Sequence, residues 1–336
     1  MKNERIYYWD NLKCCLIFFV VLGHFLIPIS NESRSLQTVY FFIYLFHMPA
    51  FVFASGFFSK YYMKKEVPNI SKLMGFLLLY FIFKILLWGV NSILQGQIAQ
   101  FQPMTETGAP WYLMAMFVWY VFLPVFSKFK ASVCIGTSIV IGIASGFLSE
   151  IGPFFCLSRI IVFLPFFLAG YYFTGNKIED LTKKWKRFVA IIILLCIAFM
   201  ILNNLENISI FQGIIYGNRP YDIFSKVASS QKVAFLRLGW YAVAFIMTFA
   251  VMVLTPKRKL KISYIGSRTL SIYIIHRLIR QIFSYYDLYH VIHLDSKIML
   301  LCCIVVSIFV TLLLSGKRLF TIFQRIFEIN YDKILK

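Results

Sequence analysis

The chain has 336 residues, of which 60% are hydrophobic, 19% aromatic and only 14% charged, a balance that excludes an ordinary soluble domain. A formal net charge of +20 raises nucleic acid as a partner, but the basic residues sit in short loops between apolar stretches, with neither a basic–aromatic RNA-binding pattern nor zinc-finger spacing. The partners implied are anionic membrane lipids, not nucleic acid, and the fold class is all-α, a polytopic integral membrane protein.

In chain order, about ten spans are expected, near 12–29, 39–58, 73–94, 110–126, 132–149, 158–174, 187–203, 233–254, 264–283 and 297–315. The fourth to seventh are short for a bilayer crossing and imply tilt or local thinning. No long polar linker divides them, so residues 1–336 read as a single membrane-embedded domain. The first span lacks a small-residue cleavage site after it and is expected to be retained. Lysines and arginines then orient the chain. Lys60, Lys64, Lys65 and Lys72, then Lys128 and Lys130, then Lys177, Lys183, Lys184, Lys186 and Arg187, then Lys257, Arg258, Lys259 and Lys261 all fall on one side of a ten-span arrangement. Lys317, Arg318 and Arg325 follow in the tail, which puts both termini in the cytoplasm. The longest outer loop, 204–232, is a candidate lid or substrate-facing segment.

Orientation converts position into depth. Lys13 stands at the cytoplasmic mouth of the first span and His24 eleven residues, or about 16 Å, further in. Eleven residues is close to three helical turns, so both lie on one stripe. The second span, in FHMPAFVFASGFF, brings His47 about 12 Å below the outer surface, near the same depth. Pro49 loosens the backbone there, and Ser55 and Gly56 allow close helix approach lower down. Lys84 falls near the middle of the third span. Trp111 and Tyr112 open the fourth, Arg159 opens the sixth, and the ninth carries His276 with Arg280 one turn later. Singly, each has an ordinary explanation: an arginine at a span end snorkels, a Trp–Tyr pair forms an interfacial belt, and a lone histidine packs. His290 and His293 read as ordinary surface residues. The agreement in depth across four spans makes the others a candidate site.

No Asp or Glu occupies the middle of any span, which weighs against a cation-coupled transporter. A basic intramembrane group suits an anion, a thioester carbonyl or developing negative charge. The alternative function class is a transporter exporting an organic anion or a glycolipid. The seven cysteines show no CxxC spacing, and no metal site is implied.

The segments Asp10 with Lys13 and His24, FHMPAFVFASGFFSK at 46–60, PWYLMAMFVWY at 110–120, SRIIVFLPFFLAGYYF at 158–173 and GSRTLSIYIIH at 266–276 run in order through nearly the whole sequence. Together they resemble the membrane-bound acyltransferase family three, which O-acetylates bacterial surface glycans, with wording closest to its fucose 4-O-acetylase-like branch. Lys13 stands where many relatives have arginine, and the chain ends after the tenth span without the esterase-like domain some relatives carry. The resemblance implies an O-acetyltransferase of the bacterial plasma membrane. Cytoplasmic acetyl-CoA is the donor and co-substrate, and a sugar hydroxyl of a glycan or lipid-linked saccharide the acceptor, without fixing an oligomeric state. His24 is the expected catalytic base, with His47 orienting it or donating to the oxyanion. Lys13 and Asp10 belong to the donor side, and Trp111, Tyr112, Arg159, His276 and Arg280 to the acceptor or the developing charge. A covalent acetyl relay through His24 stays open.

Overall fold

The computed structural model describes residues 7–64, 67–105, 108–152, 154–291 and 294–329; Lys65 and His293 lie outside the described residues. In chain order the helices are α1 (Tyr7–Leu26), α2 (Arg34–Ser59), α3 (Ile70–Gln95), α4 (Trp111–Phe126), α5 (Ala131–Ala144), α6 (Leu157–Tyr172), α7 (Lys177–Leu181), α8 (Lys184–Asn203), α9 (Leu205–Ile210), α10 (Gln212–Tyr216), α11 (Ser230–Leu254), α12 (Ser263–Gly266), α13 (Thr269–Tyr285), α14 (Ser296–Leu314) and α15 (Lys317–Phe327). Among the described residues the fold is all-helical apart from a two-residue ladder, in which Met63 faces Pro68 and Lys64 faces Val67, and an isolated bridge between Thr105 and Phe154.

Among the described residues, six helices are long and apolar enough to cross a bilayer: α1 with its 3₁₀ extension to Ile29, α2, α3, α8, α11 and α14. Their outward faces are apolar, as lipid contact requires; Phe188, Leu195 and Phe199 on α8 are 65–70% exposed. Helices α4 and α6 are equally apolar but only 16 residues long, about 24 Å against a hydrocarbon core of about 30 Å. The expected ninth span is broken. Helix α12 stops at Gly266, Ser267 and Arg268 are not helical, and α13 starts at Thr269. The expected loop 204–232 contains α9, α10 and a 3₁₀ turn at Tyr221–Phe224.

The chain forms two compact units, each assembled from segments distant in sequence. Unit 1 comprises Met1–Phe51, Thr174–Ile208 and Ala244–Thr321. Its centre is α1, which packs on α12, α13 and α14. The start of α1 is bolted down by polar side chains reaching backbone carbonyls: the Tyr8 hydroxyl donates to Met252 at 2.7 Å, and the Asn11 amide to Pro256 and Arg258 at 2.9 and 2.8 Å. The Ser263 hydroxyl donates to the Asn11 side-chain oxygen at 2.6 Å. Gly266 lies so close to α1 that a Cβ there would stand 1.9 Å from the Asp10 carbonyl oxygen. This contact explains why the GSRTLSIYIIH segment opens on glycine and why the helix breaks there: backbone-to-backbone approach fixes the chain before α13 begins. Elsewhere in unit 1, Ala190, Ala250 and Val253 join α8 to the end of α11.

At the far end of unit 1, His290 joins two loops. Its ring contacts Glu32 at 2.7 Å through Nε2 and Asp287 at 2.6 Å through Nδ1. The two carboxylates raise the imidazole pKa above its ordinary value. This is more than the plain surface residue expected from sequence.

Unit 2 comprises Val52–Phe173, Ser209–Val243 and Ile322–Lys336. Here α6 packs on α4 and α5, and α3 on α4. The close approach expected around Gly56 is present. A Cβ on Gly56 would fall 2.0 Å from the Phe167 carbonyl oxygen, and one on Gly170 would fall 1.9 Å from that of Phe53. The end of α2 and α6 therefore cross with their backbones in contact, a packing mode in which small residues replace the hydrophobic drive that lipid removes. The Trp119 indole of α4 donates to the Ile160 carbonyl at 3.0 Å, and Tyr241 donates to that of Val162 at 2.8 Å. Arg237 is fully buried. Its guanidinium donates to the carbonyls of Gly142 and Arg219, both at 3.2 Å, and stacks 4.9 Å from the Tyr221 ring.

Gly56→Ala should force this crossing apart and destabilise the protein by about 1–3 kcal/mol. Gly89→Ala, in the interior of α3 with nothing within 4 Å of the new methyl, should be neutral or stabilising by up to about 1 kcal/mol. Melting of the purified variants in one detergent checks the contrast. Because its folded pKa is raised, the His290 link stabilises below the ordinary imidazole pKa and is lost as pH rises through the raised value. The melting-temperature gap between the native protein and His290→Asn should accordingly be larger at pH 6 than at pH 9.

Candidate active site

Four of the expected site residues converge in unit 1. Helices α1 and α13 run in the same direction, as Asp10 beside Gly266, His24 beside His276 and Phe25 beside Phe283 require. The His24 and His276 rings lie 5.1 Å apart, centroid to centroid. The nearby charged or polar groups acting on His24 are Arg277, His276, His47 and Arg280, with no carboxylate among them. His47, on α2, packs edge-on against Tyr44 with centroids 4.7 Å apart. Gly23, next to His24, leaves room for that tyrosine: a Cβ would sit 3.2 Å from its ring.

Two of the three imidazoles have their tautomer fixed by their own helix. His47 Nδ1 lies 2.8 Å from the Ile43 carbonyl and His276 Nδ1 2.8 Å from that of Ile272, four residues back in each case. A carbonyl only accepts, so each Nδ1 carries the proton and each Nε2 presents a lone pair when the ring is neutral. Neutral His47 is then a proton acceptor at Nε2 and cannot donate from there to an oxyanion; the guanidiniums of Arg277 and Arg280 are the donors in this cluster. His276 is fully buried, and its Nε2 has no hydrogen-bond partner. His24 differs from both. It lies deep in the unit yet keeps accessible surface, and its enclosed Nδ1 has no hydrogen-bond partner. That nitrogen is open to a ligand or a reacting group.

At the other end of α1, Lys13 Nζ is 3.5 Å from the carboxylate of buried Asp10, an i,i+3 pair. The Asn11 bonds hold the basic stretch Lys257–Lys261 against this same end, and Lys259 stacks over Tyr7 at 5.6 Å. Unit 1 therefore has a cationic mouth at the start of α1 and the histidine cluster near its end. Asn11, which positions that mouth, escaped the sequence reading because its partners are backbone carbonyls some 245 residues away, which leave no local pattern. Arg277 was also missed, although the spacing His276, Arg277, Arg280 on one helical face was the available signal.

Trp111, Tyr112 and Arg159 belong to unit 2. The Arg159 guanidinium lies 5.7 Å from the Trp111 ring and donates to the carbonyls of Gly108 at 3.0 Å and Tyr216 at 3.3 Å. Ser158 donates to Gly217 at 2.7 Å beside it. Arg159 is thus buried and bonded rather than snorkelling, and it pins α10 in place, so the 204–232 segment is tied to α6. Trp111 is buried against Phe163, with centroids 4.8 Å apart, and Tyr112 shares a 2.6 Å hydrogen bond with Ser55. Lys84 donates to the Thr105 carbonyl at 2.7 Å. Among the described residues, no group of histidine, cysteine and carboxylate side chains is arranged to hold a metal ion.

No curated protein and no solved structure matches the chain. A family model described as an acyltransferase domain matches residues 6–316, which takes in both the cationic mouth and the histidine cluster. This protein belongs to acyltransferase family 3.

Proposed function

We propose that this membrane acyltransferase moves an acetyl group from cytoplasmic acetyl-CoA to a sugar hydroxyl of a surface glycan or of its lipid-linked precursor, as members of the fucose 4-O-acetylase-like branch do. In this reading the chain crosses the bacterial plasma membrane ten times, with both termini in the cytoplasm. The observation that carries it is His24: an accessible imidazole with an unsatisfied nitrogen, one ring away from His276, in a cluster of cations without a carboxylate.

CoA docks at the mouth formed by Lys13 and the Lys257–Lys261 stretch, where lysines meet its phosphates as point charges. Its acyl arm lies along α1 toward His24. A sugar hydroxyl is a weak nucleophile, so a base must take its proton as the C–O bond forms. His24 accepts that proton while the hydroxyl oxygen attacks the thioester carbon. The tetrahedral oxyanion meets donors from Arg277 or Arg280, which are most effective in a dry, low-dielectric site. Collapse breaks the C–S bond, and the proton on His24 passes to the departing CoA sulfur, leaving the ester and the free thiol. His47 and His276, each presenting Nε2 as an acceptor, orient His24 or relay its proton.

His24→Ala should abolish acetate incorporation into the glycan, a loss of at least about 100-fold, the low end for removal of a general base, without loss of membrane insertion. Undiminished acetylation by this variant rejects the base assignment. Lys13→Ala should raise KM for acetyl-CoA and leave the acceptor KM near its native value; an unchanged donor KM removes Lys13 from the donor site. Mass spectrometry of surface glycans with and without the chain reads the product directly: the expected outcome is loss of one acetyl mass from a defined sugar.

A further inference from the structure

Helix α13 concentrates positive charge beside the histidines. Tyr273, His276, Arg277, Arg280 and Ser284 follow one another at helical spacing and form one polar stripe. The two guanidiniums are half-buried and act together on His24, on His276 and on the phenol of Tyr289, which also lies beside Ser284. Arg280 Nε is enclosed and has no hydrogen-bond partner. The carboxylates near this end of the unit, Glu32 and Asp287, are both engaged by His290. Arg159 and Arg237 each reach two backbone carbonyls and Lys84 one, although Arg237 Nε, like Arg280 Nε, has no partner.

A guanidinium with a desolvated, unpaired nitrogen, backed by a second guanidinium and flanked by two hydroxyls, is built to take an oxyanion bidentately. Position separates this site from the donor mouth. Lys13 and the Lys257–Lys261 stretch lie at the start of α1, whereas Arg277 and Arg280 follow His276 along α13 toward Phe283, the partner of Phe25. A ligand anchored there reaches His24 from the side opposite CoA.

We infer that Arg280, with Arg277, Ser284 and Tyr289, forms a subsite for an anionic group on the acceptor, so that the acceptor is a saccharide bearing a phosphate or a carboxylate next to the hydroxyl that is acylated. The inference rests on the acyl-transfer reading for the word acceptor, but the subsite itself can be read without turnover.

The test measures binding to the full chain in lipid nanodiscs by calorimetry, with hexose 1-phosphate, hexuronate and the neutral methyl hexoside as probes. The native protein should bind at least one of the two anionic sugars at least about tenfold tighter than the neutral one, the scale of a charge-assisted hydrogen bond. Preference for hexose 1-phosphate identifies phosphate as the anchor, and preference for hexuronate identifies a carboxylate. Arg280→Gln should remove the preference while keeping the native melting temperature. If that variant melts early, Arg280→Lys, which keeps the charge and loses the planar fork, should still bind the preferred sugar severalfold more weakly than the native protein. Equal binding of charged and neutral sugars by the native protein overturns the inference, as does a preference that survives in Arg280→Gln or native-strength binding of the preferred sugar by folded Arg280→Lys. Competitive displacement of the anionic sugar by CoA overturns it too, because the guanidiniums would then belong to the donor. Absence of acetyl transfer alongside an intact binding preference counts against the transferase reading alone, and transfer to the neutral hexoside without any preference counts against the subsite alone.

Discussion

Buried positive charge held by backbone carbonyls is the constraint on which both units depend. A bilayer offers no water to solvate a cation, and this sequence places no carboxylate at the middle of any expected span. Arg159, Arg237, Arg268, Lys60 and Lys84 all donate to main-chain oxygens. The carbonyls they reach lie in turns or near helix ends, where the helix leaves its own acceptors open. Each cation therefore selects the place where a loop must close: Arg159 fixes α10, Arg237 fixes the end of α5, and Arg268 joins the start of α13 to the end of α14 at Ser315.

The same rule shapes the candidate site. Where a histidine can reach the carbonyl four residues back, it does so and loses the freedom to donate elsewhere, as His47 and His276 have done. His24 and Arg280 retain nitrogens the protein does not use. Arg187 and Arg237 also leave an Nε unused, but this cluster gathers His24 Nδ1, His276 Nε2 and Arg280 Nε in one place, and unspent hydrogen-bonding capacity so gathered points to function rather than to packing. Membership of acyltransferase family 3 gives that capacity its chemical context.

Much of this was legible in the sequence because depth along a helix follows from counting. The Lys13–His24 stripe, the common level of His24 and His276, and the tight crossing at Gly56 all follow from a fixed rise per residue and from the room a missing Cβ leaves. What depended on distant partners was not legible. The break at Ser267–Arg268 comes from the contact of Gly266 with Asp10, and hydropathy carries no trace of it. The 204–232 stretch looked like a loop because its helices are short and its anchors, Ser158, Arg159 and Arg237, lie on other elements. Trp111, Tyr112 and Arg159 read as one depth level with the histidines; they form their own cluster in unit 2.

The bolting of α1 to residues 252–266 also has a consequence for biosynthesis. The carbonyls that satisfy Tyr8 and Asn11 are made some 245 residues after them. Until residues 252–258 are made, the Tyr8 hydroxyl and the Asn11 amide of α1 lack these acceptors. A nascent chain that stalls before that point therefore carries unserved polar groups on α1, a mark that sets it apart from the finished fold.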